Sequence, residues 1–556
     1  MKFDWNNPYP STRIPVFARN VVATSHPLAA QAGLRILALG GNAADAAVAS
    51  AATLALVEPA SNGLGSDCFA LVWDGARLHG LNASGTAPAA WSPGYFQRKH
   101  QGAIPLRGWD SVTIPGCVAG WASLHDKLGS LPFADVLAPA IEYAERGFAV
   151  PPTVQRRWAD QVDPLRSLPG FAEHFLPHGR APEVGEHFVL AGAAATLRRI
   201  AASGGVGEHF VLAGAAATLR RIAASGGRDF YEGETAQKLV AHAQAHEAAL
   251  TLGDLRDYAP QWVEPISQAY RGHALHQLPP NGQGLAALIA LGIVEHFDLA
   301  SRPAEHPDTQ HILIEAMKLA FADVHAHVAD AAHIRIRVEQ LLDPAYLAER
   351  ARLIDLRRAR VYNAAQAPQG GTVYLACADR NGMMVSFTQS NYMGFGSGIV
   401  VPGTGISLQN RGCCFSMDPD HPNVVGGGKR PFHTGIPAFL TQDGAPLMSF
   451  GIMGGNMQPQ GHLQALVRML DYRQQPQAAC DAPRWKWNRG LSVDIEAAMP
   501  AQVTDALRAR GHIVEVAAPA DKDFGSGQFI WRLGDPAVDG YVAASDSRRD
   551  GLAAGF

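Results

Sequence analysis

The sequence predicts an α+β fold, a large core to which both helices and β-hairpins contribute, and three stretches carry that reading. Residues 26–57 read as two helices broken at Gly40-Gly41, with Asn42 suited to cap the second and Asp45 placed to complement its dipole. Thr309 to Asp330 repeats apolar residues at helical spacing, turning Ile312, Leu313, Met317, Leu319, Ala320 and Val324 toward a core. Val373 to Ala378 is a buried-strand pattern. Asp379-Arg380-Asn381-Gly382 supplies turn chemistry after it, and Met383-Met384-Val385-Ser386-Phe387 is the returning strand. Phe69 to Gly75 adds a strand and turn, and Leu447 to Phe450 another strand.

Composition narrows the class. Several domains would fit into 556 residues, but length is only a prior, and 47% hydrophobic residues suffice for one large core. The balance of 46 basic against 50 acidic residues gives no reason to expect a nucleic-acid or membrane partner. Six cysteines in so long a chain do not make a disulfide framework, and the neighbours Cys413-Cys414 are poorly placed for an ordinary bridge. The opening Met1 to Pro8 is not followed by an apolar signal region, so a cytoplasmic location is expected. The longest apolar stretch, Ala43 to Val57, is too short to span a bilayer and contains Asp45.

The residue with the most chemical promise is Thr372, which opens the central hairpin directly after Gly370-Gly371. Scission of the Gly371–Thr372 bond would free an α-amine beside the Thr hydroxyl. With a pKa near ~7.7–8, that amine can act as a base close to neutral pH. The plainer alternative is a β-branched residue that merely begins a strand.

Four blocks bear on that choice: Gly40-Gly41-Asn42-Ala43-Ala44-Asp45-Ala46-Ala47-Val48, Glu58 to Asp67, Phe395-Gly396-Ser397-Gly398-Ile399-Val400, and Gly451-Ile452-Met453-Gly454-Gly455-Asn456. In order and spacing they resemble the γ-glutamyltranspeptidase family over nearly the whole chain. The resemblance implies an N-terminal-nucleophile hydrolase with a four-layer αββα sandwich. One precursor would be split into a large subunit, residues 1–371, and a small subunit, residues 372–556, that together form one catalytic domain. It implies Thr372 as nucleophile, Ser390 as the hydroxyl that assists processing, and Gly454-Gly455 as oxyanion-hole glycines, whose N–H groups are reachable because no side chain intervenes. Taken alone, Gly454-Gly455 also reads as a turn and Ser390 as a solvated strand end. No cofactor or metal is expected, and the partners implied are a small-molecule amide and the two subunits themselves, with a homo-oligomer of the processed pair left open.

The acyl pocket departs from the family pattern. The aspartate that pairs the substrate amine falls on Cys414, the nearby asparagine on Tyr392 with Asn391 next door, and the serine pair on His433-Thr434. The arginine that clamps the α-carboxylate belongs near Ser84-Gly85-Thr86-Ala87-Pro88, where none stands. Loss of a buried charge partner costs roughly 2–5 kcal/mol, which argues against γ-glutamyl transfer. The remaining polar groups, His433, Thr434, Asn391 and Arg430, suit a small acid, as in the branch that holds oxamate amidohydrolases and cephalosporin or glutaryl acylases. Arg430 and Lys429 also read as surface charges. The expected activity is therefore hydrolysis of a small carboxylate-bearing amide. The alternatives are a γ-glutamyltransferase or glutathione hydrolase, and a binding protein that keeps the scaffold without catalysis.

Other motifs are set aside on their chemistry. Gly426-Gly427-Gly428-Lys429-Arg430 lacks the spacing and the Ser/Thr of a phosphate-binding loop, and neither H-E-x-x-H nor G-x-S-x-G occurs. His325 and His327 lie two apart on a helix, point to different sides and do not share a metal. Residues 184–205 and 206–227 are identical copies. Two copies are too few for a solenoid. Only the second runs into Arg228-Asp229-Phe230, so it is expected to fill the core slot and the first to lie on the surface.

Overall fold

The computed structural model describes residues 13–188, 213–362, 371–517 and 523–556. The two predicted N-terminal helices are Pro27–Ala38 and Ala43–Val57, and Asn42 with Asp45 closes a reciprocal capping box on the second. The hairpin strands are Gly371–Ala378 and Met384–Tyr392. Asp379 holds their turn, accepting from the Asn381 and Met383 N–H groups and, across the fold, from the Ala43 N–H.

Two seven-stranded sheets face each other. One runs, in spatial order, Leu552–Gly555, Val21–Thr24, Gly371–Ala378, Met384–Tyr392, Asp67–Trp73, Leu78–Ala83 and Gln261–Val263. The other runs Val16–Ala18, Tyr541–Ser545, Ser526–Arg532, Ala445–Met453, Ala438–Gln442, His273–Gln277 and Ile266–Tyr270. Strand alternation assigns each face to its own core. Val373, Leu375 and Cys377 join an outer cluster under the helices Ala43–Val57 and Cys117–Leu128. Tyr374 and Ala376 instead meet Phe439, Met453 and Ile530 between the sheets. A third cluster packs Phe450 and Met448 under Gly284–Val294, Pro307–His327 and Met457–Leu470. The result is the αββα sandwich.

Gly451 shows how close the sheets come, since a Cβ there would lie 2.4 Å from the Tyr374 ring. Strands from before and after Thr372 contribute to both sheets, so a cut at that point leaves both fragments sharing both cores. The helix Pro307–His327 is buried on its polar side as well: His311, Glu315, Lys318 and Asp323 are all inaccessible. No helix among the described residues is long and apolar enough to cross a membrane.

The second copy supplies the core helix as expected, but the front of the first copy is not left on the surface. His187–Phe188, at the front of the first copy, pairs with Phe148–Ala149, and Phe188 is buried with its ring 4.7 Å from that of Trp158. The helix Ala213–Ser225, at the back of the second copy, buries Leu219 and Ile222. The core thus takes the front of one copy and the back of the other. Because the copies are identical, the surplus can fall anywhere between equivalent positions. Leu197, Ile200 and Ala201 lie outside the described residues.

Candidate active site

Thr372 sits at a β-bulge. Gly371 pairs with Tyr392 but Val373 pairs with Gln389, so the register slips by one at Thr372. A bulge of this kind re-aims one side chain without breaking the strand. Thr372 is fully buried in the intact chain. Its Oγ1 donates to the Gly371 carbonyl oxygen at 2.8 Å, and Ser390 Oγ donates to the same oxygen at 2.8 Å. The two hydroxyls stand 3.3 Å apart. Gln458 Nε2 approaches Thr372 Oγ1 at 3.5 Å. Ser390 is wholly buried rather than a solvated strand end, and it accepts from the Tyr392 N–H at 2.8 Å.

Gly454 and Gly455 make the turn between strand Ala445–Met453 and helix Met457–Leu470. Their φ values of 119° and 58° lie in the region that favours glycine. The same turn brings Gln458 onto Thr372, so the start of a 14-residue helix, the end favourable to anions, is next to the nucleophile.

On the other side of Ser390 stands Arg411, which the sequence reasoning passed over. It is fully buried, with Nη1 donating to Thr434 Oγ1 at 2.9 Å and Nη2 to Ser390 Oγ at 3.1 Å. Its guanidinium lies 4.2 Å from the centre of the Tyr392 ring, and Tyr392 takes a left-handed φ of 75°. Burial opposes ionisation of Cys414, but the hydrogen bond from Cys413 and the Arg411 charge draw its thiol down to about 7. A single cation three residues before Cys414 was the available signal.

His433 is neutral and engaged. Its Nδ1 accepts from the Gly435 N–H at 2.9 Å, its Nε2 faces Asp67 Oδ2 at 3.3 Å, and burial holds its pKa well below the usual range. Asp67, directly opposite Ser390 on the neighbouring strand, is the second group the sequence reading missed. Burial raises its pKa to about 7, while Arg411 and the Gly85 N–H pull it back.

Two predicted pocket residues are not brought to the nucleophile. Asn391 points to the opposite face of its strand from Ser390, where it accepts from Ser66 Oγ at 2.7 Å. Arg430 is buried rather than a surface charge, with Nε donating to the Ser84 carbonyl and Nη2 to the Ala259 carbonyl. Lys429 is likewise buried, donating to the carbonyls of Pro422 and Val424.

Elsewhere, among the described residues, His311, Glu315 and His512 bring ligand-type atoms within 4.8 Å of one another. That group is already paired internally: Lys318 Nζ lies 2.5 Å from Glu315 Oε1, and His311 Nδ1 2.9 Å from His512 Nε2. It holds the segment that leads toward the cleavage site, through His311 Nε2 on the Asp355 carbonyl and Tyr362 Oη on Glu315.

Comparison with known proteins agrees with this geometry. The γ-glutamyltranspeptidase family pattern matches residues 29–210 and 205–556, two segments that overlap inside the tandem copies. The glutathione hydrolase-like YwrD proenzyme of Bacillus subtilis is 37% identical, covering 97% of this chain and 98% of its own. The oxamate amidohydrolase proenzyme of Klebsiella pneumoniae is 36% identical, covering 97% and 99%. The crystal structure of cephalosporin acylase from Bacillus halodurans superposes with a TM-score of 0.92 at 45% identity, covering 100% of this chain and 99% of that one. On this evidence the chain belongs to the γ-glutamyltranspeptidase family and is an N-terminal-nucleophile hydrolase that acts on amides.

Proposed function

We propose that this chain is a precursor that cuts itself between Gly371 and Thr372. It then hydrolyses an amide of a small carboxylate-bearing acyl group, oxamate-like or glutaryl-like, through a Thr372 acyl-enzyme. The observation that carries this reading is the Gly371 carbonyl, which receives hydrogen bonds from both Thr372 Oγ1 and Ser390 Oγ at 2.8 Å. Thr372 Oγ1 attacks the Gly371 carbonyl carbon while Ser390 donates to the oxygen as it gains negative charge. The C–N bond breaks and the Thr372 nitrogen takes the hydroxyl proton, leaving an ester. Water hydrolyses that ester, leaving a Gly371 carboxylate and a free α-amine on Thr372.

In the mature enzyme the amine deprotonates Oγ1, and Oγ1 attacks the substrate carbonyl. The Gly454 and Gly455 N–H groups receive the oxyanion. The leaving amine takes the proton, and water releases the acid from the acyl-enzyme. The large and small subunits, residues 1–371 and 372–556, stay associated because both sheets are built from both.

The substrate class draws support from the names of the oxamate-cleaving and acylase relatives, and from Cys414 standing where a γ-glutamyl amine would need a carboxylate. The glutathione hydrolase-like relative makes γ-glutamyl cleavage the competing reading. The test is direct. On a denaturing gel the purified protein runs as two fragments, the smaller beginning with Thr372 by N-terminal sequencing. Thr372→Ala stays a single chain and loses roughly 10³-fold or more of the hydrolysis. An intact wild-type chain that still cleaves amides overturns the mechanism.

A further inference from the structure

We propose that Arg411 is the receptor for the carboxylate of the acyl group, in place of the absent large-subunit arginine, so that the enzyme takes monoamides of short dicarboxylic acids. This rests on the amidohydrolase reading above and specifies which end of the pocket reads the acid.

The argument begins with an incompletely matched charge. A guanidinium carries five N–H donors and is charged at any relevant pH. Arg411 is fully buried, yet the partners it holds are the hydroxyls of Thr434 and Ser390, the face of Tyr392 and the Cys414 thiol, with no carboxylate bonded to it directly among the described residues. Its Nε is buried with no hydrogen-bond partner among the described residues. Isolating a cation from water without a paired anion is strongly unfavourable, so such a site is built to be completed.

Two acidic groups flank it and neither is a full counter-ion. The Asp67 carboxyl is taken up by the Gly85 N–H and faces His433, and burial raises its pKa to about 7. The Cys414 thiol titrates at about the same point. An incoming carboxylate can displace the thiol's weak interaction and accept two parallel N–H bonds from the planar fork.

Geometry sets the length of the acid. Arg411 Nη2 and the Gly371 carbonyl oxygen meet on the same atom, Ser390 Oγ, at 3.1 and 2.8 Å. In the precursor that carbonyl lies against Thr372 Oγ1, the atom that must later attack a substrate's acyl carbonyl. The receptor cation is therefore one hydroxyl away from the reacting carbonyl. A carboxylate reaches it from a few bonds along the acyl chain, as in oxalyl to glutaryl groups, whereas a long apolar acyl chain would bury its tail against the charge.

The experiment compares two p-nitroanilides, one glutaryl and one with the neutral glutaramide acyl group, on wild type, Arg411→Gln and Arg411→Lys, each first checked for processing on a denaturing gel. Wild type is expected to favour the acid in kcat/KM by roughly 10²-fold or more. Arg411→Gln should collapse that ratio toward unity, chiefly through KM, and Arg411→Lys should keep part of it because the charge remains while the fork is lost. An equal loss on both substrates in Arg411→Gln would mean that Arg411 only positions Ser390, and overturns the proposal. If Arg411→Gln accumulates uncut, Arg411→Lys and the wild-type ratio decide. A wild type that favours the neutral acyl group overturns the carboxylate receptor while leaving the amidohydrolase intact. A wild type that cleaves neither anilide nor oxamate overturns both readings.

Discussion

The two sides of Ser390 differ in what they leave unsatisfied. Toward Thr372 the groups are neutral and converge on one atom, the Gly371 oxygen, held there by a bulge in a central strand. Toward Arg411 a buried cation is met by hydroxyls, a ring and a thiol, with hydrogen-bonding capacity to spare. On the proposed mechanism the cleavage side is complete in the precursor because its first substrate is the chain's own backbone, and the acyl side is left open for a partner from solution. Preorganisation serves the first, and a charge held for an absent anion serves the second.

The sharpest way to break this comparison, after loss of Thr372 itself, is Ser390→Ala, since Ser390 is the atom both sides share. Removing the donor to the Gly371 oxygen should slow processing about 10²-fold, the usual size of one lost oxyanion donor. A time course of precursor disappearance on a gel measures it, and processing at the wild-type rate would show that Thr372 alone suffices.

Asp67→Asn tests the charge balance beside Arg411. The folded-state pKa of Asp67, about 7, exceeds its ordinary value of 3.8, so the folded protein binds this proton more tightly than the unfolded chain does. Its contribution to stability is therefore fully present below about pH 4 and falls as pH rises to about 7. Against wild type, Asp67→Asn should gain relative stability across that window, by a few kcal/mol at most, and stay level above it. Denaturation midpoints that run parallel for the two proteins at all pH values would remove Asp67 from the account.

The smallest effect is expected from deleting one copy of the 22-residue repeat. The remaining copy can supply both Phe188's strand and the Leu219–Ile222 helix face. Processing and turnover should stay within about two-fold, with the denaturation midpoint equal or higher, because a competing identical segment is gone. A marked loss in gel processing or turnover would give the extra length a structural role.

The repeat also shows where sequence reading stops. Identity between copies makes their local patterns indistinguishable; the run into Arg228 assigned the core helix to the second copy, but nothing local showed that the front of the first copy is buried too. Only the partner strand Phe148–Ala149 and the core beneath Leu219 decide where each copy is used. The nucleophile hairpin is the opposite case. Alternation, the Asp379–Gly382 turn and the glycines before Thr372 determined it locally, and the structure placed it at the centre of a sheet.

The candidate site divides along the same line. The positions of Thr372, Ser390 and Gly454-Gly455 at a strand start, a strand face and a turn were legible because these are local properties of the chain. Asn391 was misplaced by one residue's parity, which turns it to the other face of its strand. Arg430 looked available and proved bound to two carbonyls. Arg411 drew no notice, and Asp67 was read only as the end of the Glu58–Asp67 block, since nothing near either in sequence announces its partner. By itself, then, the sequence determined the elements and the family, and it singled out Thr372 as the candidate nucleophile. Which cation stands beside Ser390 with an unpaired N–H was decided only in the tertiary structure, because a side chain's charge is usable only after folding has settled which of its hydrogen bonds are already taken.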